Sequence, residues 1–245
     1  MNHDFRSNNM LFKDQRVLVV GGSSGIGAAT AASFAQHGAH VYIASRNKAK
    51  LDHVASQIVG KVETVVLDIT HDEQVSHVLR ELGEFDHVVV SAAQTATGPV
   101  HGLELEDAYS AMNSKFWGAY RVARAVHIRE AGSLTLVSGF LSVRPSKSSV
   151  LQGAINAALE SLGRGLALEL SPIRVNVVSP GLIATELWAN LDASARERMY
   201  ESVAARLPAK RVGAPEDIAN AVIYLASTRY ATGSTVLVDG GGAIA

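Results

Sequence analysis

Short apolar runs rich in β-branched residues recur along the chain, each followed by a longer stretch whose apolar positions repeat at helical spacing. The runs are VLVV (17–20), HVYIAS (40–45), VETVVLD (62–68), HVVVS (87–91), LTLVS (134–138), RVNVVS (174–179) and TVLV (235–238). They have the length and composition of strands buried on both faces, as in a parallel sheet. The intervening stretches AATAASFAQHG (28–38), a long segment over 105–129, LQGAINAALESLGRGLALELS (151–171) and PEDIANAVIYLAS (215–227) read as helices. Thr70 and Glu73 have the spacing of a capping box for another helix, Gly38 supplies a helix stop, and Pro215 stands where a helix tolerates proline. Strand then helix, repeated, predicts a doubly wound α/β fold with a parallel sheet of about seven strands and helices on both faces. ELWANLDASARERMYESVAARL (186–207) reads either as a mobile helical lid with Leu187 and Trp188 as pocket walls or as an ordinary surface helix.

The first strand runs directly into Gly21-Gly22-Ser23-Ser24-Gly25-Ile26-Gly27 and then a helix. Gly21 allows a sharp turn, Gly25 allows the backbone to approach a pyrophosphate, and Gly27 allows close packing of helix on strand. The helix start then offers free N–H groups to phosphate. This is the first βα unit of a Rossmann-type dinucleotide-binding domain, expected over residues 11–245 after a disordered tail at 1–10. An NAD-binding unit carries an acidic residue about 20 residues past the glycines. Ser45 and Arg46 occupy that place, and a guanidinium there clamps a 2′-phosphate, so NADP(H) is favoured over NAD(H).

Composition narrows the chemistry. The 245 residues are 47% hydrophobic, enough for a full core, and carry a formal net charge of −1, which gives no attraction to nucleic acid or an acidic membrane surface. There is no cysteine, so disulfides, thiol nucleophiles and thiolate metal sites are excluded. The nine histidines show no metal-ligand spacing and read as scattered surface or core residues. Without an apolar leader or a membrane-length apolar run, the chain reads as a cytoplasmic protein.

The glycine spacing G-x-x-x-G-x-G resembles the short-chain dehydrogenase/reductase family, and the resemblance extends from about Leu11 to Gly241. Val20 stands where the family usually has threonine. The resemblance implies that Asp68 and Ile69 form the adenine pocket, that Ser91, Ala92 and Ala93 lie along the nicotinamide ribose in place of N-N-A-G, and that Asn113 is the structural and catalytic asparagine. Pro180, Gly181, Ile183 and Thr185 match P-G-x-x-x-T, which holds the carboxamide and pyrophosphate. The catalytic stretch departs from the pattern. Aligning LALEL (166–170) without a gap puts Gly139, with Ser138 beside it, at the family's serine, Gln152 at its tyrosine and Asn156 at its lysine. Neither amide titrates, so neither performs general acid or base work, and no tyrosine lies between Tyr120 and Tyr200 to replace them. Three functions fit: an oxidoreductase with a non-standard site, on a small molecule that needs little proton assistance or brings its own, Gln152 only donating a hydrogen bond; a cofactor-binding sensor or partner subunit; or a non-redox isomerase or lyase in the same pocket. The family's habits and the small residues Ala154, Ala158 and Gly165 imply a homodimer or homotetramer.

Overall fold

The computed structural model describes residues 10–94 and 96–245; of the tail expected over 1–10, residues 1–9 lie outside them. Seven strands form one sheet: β1 (Arg16–Val20), β2 (His40–Ser45), β3 (Lys61–Val66), β4 (Glu84–Val90), β5 (His127–Val137), β6 (Arg174–Pro180) and β7 (Thr235–Val238). Their order is β3-β2-β1-β4-β5-β6-β7, and every pairing is parallel. All strand C-termini therefore share one edge of the sheet, and the winding direction reverses between β1 and β4, which is where such sheets bind ligands.

The apolar runs are explained by burial on two sides. Along β1, Leu18 and Val20 enter one core while Val17 and Val19 enter the other. The first core is closed by α3 (Asp72–Leu82), α5 (Gly118–Ala125) and α6 (Val150–Glu169). The second is closed by α1 (Gly25–Gln36), α2 (Lys48–Gln57) and α8 (Pro215–Ser227). Each fully buried leucine or valine contributes about 1.5–3 kcal/mol, and every residue of β6 is buried. The start of β6 also fixes α8: the Arg174 guanidinium donates to the carbonyls of Leu225 (2.6 Å), Ala226 (2.7 Å) and Thr228 (3.0 Å), the orphan acceptors at that helix end.

Two expectations are corrected. The segment over 105–129 is continuously helical only as far as Ala125 and carries a π turn within it. It comprises α4 (Leu105–Met112), a π turn over Asn113–Trp117, and α5, after which β5 begins at His127. The early part of β5 is polar and mostly exposed, pairs Glu84 with His127 and Phe85 with Ile128, and is separated by a bulge from the buried part. The capping box at Thr70 is also not made. The Thr70 hydroxyl donates to Asp68 Oδ1 (2.7 Å), and α3 starts from His71 without a side-chain cap.

In the 186–207 segment, a short 3₁₀ turn (Glu186–Trp188) precedes α7 (Ala193–Arg206), which has no fully buried residue. Leu187 is exposed, while the Trp188 indole donates to the Ile183 carbonyl (3.0 Å).

Candidate active site

At the reversal point the glycine turn is set by contact. Gly21 has φ +93°, and a Cβ there would lie 2.5 Å from the Ala92 amide nitrogen; one on Gly27 would lie 2.0 Å from the Gly21 carbonyl oxygen. Gly25 has φ +48° and faces Thr185, whose Cγ2 would be 3.0 Å from an added Cβ. The sequence-expected Gly21, Gly25, Gly27, Ala92 and Thr185 thus converge on one cradle. Ser24 precedes α1 without a side-chain cap and the first turn carries no acid, so the N–H groups beside Ser23, Ile26 and Gly27 suit a phosphate. Ser91 Oγ donates to the Val20 carbonyl (3.1 Å), beside the Ser91 and Ala92 amides that bond to the same oxygen and fasten this end of β4 to β1.

Toward β2 and β3, Ser45 is half-buried and Arg46 is exposed, its Nη2 donating to Gln94 Oε1 (2.8 Å). Asp68 stands opposite. Partial burial alone would raise its carboxyl, but the Thr70 amide and hydroxyl, with the charges of Arg46 and His71, hold it below its ordinary value. Ile69 is buried against α5, where a Cβ on Gly118 would strike its Cδ1 at 2.5 Å. On the far side, Pro180 and Ile183 are buried, and Gly181 backs onto Asp239, whose Cα would lie 2.7 Å from an added Cβ.

The catalytic stretch holds a residue that the sequence reading passed over. Lys115, in the π turn opened by Asn113, is 7% exposed and donates through Nζ to the Ser138 carbonyl (2.8 Å) and to Asn156 Oδ1 (2.7 Å). Burial pushes its ammonium down to about 8, against the opposing pull of the Glu160 carboxylate. Glu160, one turn beyond Asn156 on α6, is itself buried and accepts hydroxyls from Ser138 (2.9 Å), Ser142 (2.6 Å) and Ser179 (3.1 Å). Gly139 is required beside this group: a Cβ there would lie 2.7 Å from Asn156 Nδ2. Gln152 is partly buried one turn before Asn156. The Gln94 amide donates to Ser114 Oγ (2.7 Å), so hydrogen bonds and chain connect Arg46 at one end of the cleft with Lys115 at the other. A signal for Lys115 was present. At helical spacing it shares a stripe with the buried Ala111, Gly118, Ala119 and Val122, and a lysine on an apolar stripe calls for a partner.

A parallel sheet wound in this order, with a glycine cradle at the reversal point, defines a nucleotide-binding α/β protein. The family profile described as "Enoyl-(Acyl carrier protein) reductase" matches residues 20–242. The chain is 31% identical to the 3-oxoacyl-[acyl-carrier-protein] reductase FabG of Thermotoga maritima, covering 91% of this chain and 96% of that one. Among solved structures it resembles a small-chain dehydrogenase in complex with NADPH (TM-score 0.83, 36% identity, 95% of this chain and 100% of that one). It also resembles the MalC Reductase/Diels-Alderase of Malbranchea aurantiaca (TM-score 0.88, 25% identity, 96% and 98%). The chain belongs to the short-chain dehydrogenase/reductase family, and its relatives are oxidoreductases. Among the described residues no helix is long and apolar enough to cross a membrane.

Proposed function

We propose that the protein is an NADP(H)-dependent oxidoreductase that reduces a polarised double bond of a small molecule in a site without the family's serine, tyrosine and lysine. The observation that carries the cofactor preference is Arg46 at the end of β2, with no carboxylate beside it on that strand end. Gly21, Gly25, Gly27 and the first turn of α1 hold the pyrophosphate; Asp68 and Ile69 hold the adenine; Ser91, Ala92, Ala93, Pro180, Gly181, Ile183 and Thr185 line the nicotinamide end. When bound, the dinucleotide supplies hydride. Gln152 orients the substrate by a hydrogen bond, and Asn156 positions its neighbours without exchanging a proton. The small-residue face of α6, with Ala154 and Gly165 exposed, is the surface through which two copies pair.

Titration of the protein with NADPH and NADH, followed by nucleotide fluorescence, tests the cofactor reading. NADPH binds at least ~10-fold more tightly, and Arg46→Ala removes that margin, in keeping with one charge-assisted phosphate clamp. Equal affinities in the unmodified protein overturn the preference. Turnover is sought in a panel of carbonyls, imines and enones. A second reading, a non-redox reaction in the same pocket, is favoured by the likeness to a protein described as both reductase and Diels-Alderase. Conversion of a substrate without net consumption of NADPH decides for it.

A further inference from the structure

Lys115, Asn156, Gly139 and Glu160 depart from the family pattern or lie outside it, yet they fit one another. Gly139 leaves the space that the Asn156 amide occupies, and a side chain at 139 would collide with that amide at 2.7 Å. Asn156 Oδ1 then accepts from Lys115, as does the Ser138 carbonyl. These acceptors use two of the three ammonium N–H groups. The Ser138 hydroxyl passes to Glu160, the carboxylate that offsets the buried positive charge. A buried ammonium needs such partners to stay in the interior. Among the described residues no buried side-chain nitrogen or oxygen lacks a partner. The cation therefore enters the cleft from a new direction: from the π turn on one wall, reaching the side chain at the position where the alignment expects a lysine on the other. π turns of this kind recur at functional sites.

We propose that Lys115 is the proton donor of this pocket, its ammonium facing the nicotinamide end of the bound cofactor and the heteroatom of the substrate. This rests on the oxidoreductase reading above. The substrate's carbon takes a hydride from the reduced nicotinamide, the electron pair of its C=O or C=N bond settles on the heteroatom, and a Lys115 Nζ–H bond breaks to deliver a proton there. The neutral amine left behind regains its proton from water. Glu160 is the carboxylate set against the amine, with Asn156 from α6 and Ser138 just past β5 as its uncharged neighbours; the hydroxyls of Ser142 and Ser179 act only through Glu160. With its proton held at about 8, Lys115 gives it up near neutral pH far more readily than an exposed lysine.

The test is NMR of the full-length protein labelled at lysine ¹³Cε, with the Lys115 resonance assigned by its absence in Lys115→Met or, if that variant does not fold, in Lys115→Arg. The Lys115 titration midpoint is measured with saturating NADP⁺ and with saturating NADPH. The two ligands differ by one positive charge on the nicotinamide ring. At an effective dielectric of about 20, a unit charge within roughly 10 Å moves an amine by about one pH unit or more, so Lys115 titrates lower by that much with NADP⁺ than with NADPH. Equal midpoints show a lysine that only braces the fold and overturn the proposal. Fluorescence titration of the same samples reads the cofactor itself: absence of nucleotide binding defeats the oxidoreductase reading, whereas binding with equal midpoints defeats only the role of Lys115.

Discussion

The two halves of the cleft follow different rules. On the side of β1 and β2 the backbone itself makes the turn, and Gly21 and Gly27 stand where any side chain would meet amide or carbonyl atoms at 2.5 and 2.0 Å. On the side of β5 and α6 it is side chains that meet, with Lys115, Asn156, Ser138 and Glu160 joined by hydrogen bonds. A backbone cradle fails with the first added carbon, so it keeps its pattern. A side-chain cluster can be exchanged as a unit, provided charge and volume still balance, as Lys115 and Glu160 with Gly139 and Asn156 illustrate.

The largest effect that would sharpen this contrast is expected from Gly27→Ala. The new methyl would lie 2.0 Å from the Gly21 carbonyl oxygen, against backbone that cannot rotate away. A loss of at least ~3 kcal/mol is expected, which lowers the melting temperature by roughly 6–12 °C in a chain of this size, with NADPH binding abolished. Calorimetry and fluorescence titration measure the two, and a variant with unchanged melting and binding breaks the claim that the backbone makes this half.

Glu160→Leu comes next. It leaves the Lys115 ammonium buried without its counter-charge, at a cost of about 3 kcal/mol near pH 7. The pH dependence has a fixed sign. The folded-state value of Lys115 lies at about 8, below its unfolded value of 10.5, so the cost of burying the cation is fully present below pH 8 and is relieved as pH rises from 8 to 10.5. Denaturant melts at pH 7 and pH 10 should therefore show a deficit in Glu160→Leu that shrinks at the higher pH. A deficit independent of pH would mean that lost packing, not charge, is responsible.

The smallest effect concerns the fit between positions 139 and 156. Gly139→Ser alone should cost about 1–3 kcal/mol by crowding the Asn156 amide. In the Asn156→Ala background the same change should cost less by ~1 kcal/mol or more, as expected of residues in contact. A double-mutant cycle with no coupling would mean that the residues at 139 and 156 do not depend on each other.

Much of the fold can be read from the chain because buried parallel strands announce themselves as uninterrupted apolar runs, and the winding order follows from strands alternating with helices. What escapes such reading is decided by neighbours in space. His127, Arg129 and Glu130 look like the polar end of a helix, yet they belong to a strand because β4 offers Glu84 and Phe85 to pair with that segment. The Thr70 hydroxyl serves Asp68 instead of a helix start. His87, one of the histidines read as scattered, is buried between Gln15 and Ser133; burial above all, with the charge of Arg174, brings it down to about 4. The convergence of Gly21 and Gly27 at the end of β1 is legible because a strand-to-helix turn depends on local spacing. The pairing of Lys115 with Asn156 is not legible in this way, since the two stand 41 positions apart and meet only in the fold.

The Arg174 clamp bears on how the C-terminal part of the molecule opens. Its guanidinium fastens the end of α8 to the first residue of β6, and Asn176, two residues on, donates to the Ala231 carbonyl (2.8 Å) and accepts from the Ser234 amide (3.1 Å) just before β7. Fraying of β7 from the sheet edge must break the Asn176 bonds, and release of α8 would strand a buried cation. The start of β6, the end of α8 and the turn into β7 are thus tied together, and their amide protons should exchange with solvent together and not in a gradient from the terminus.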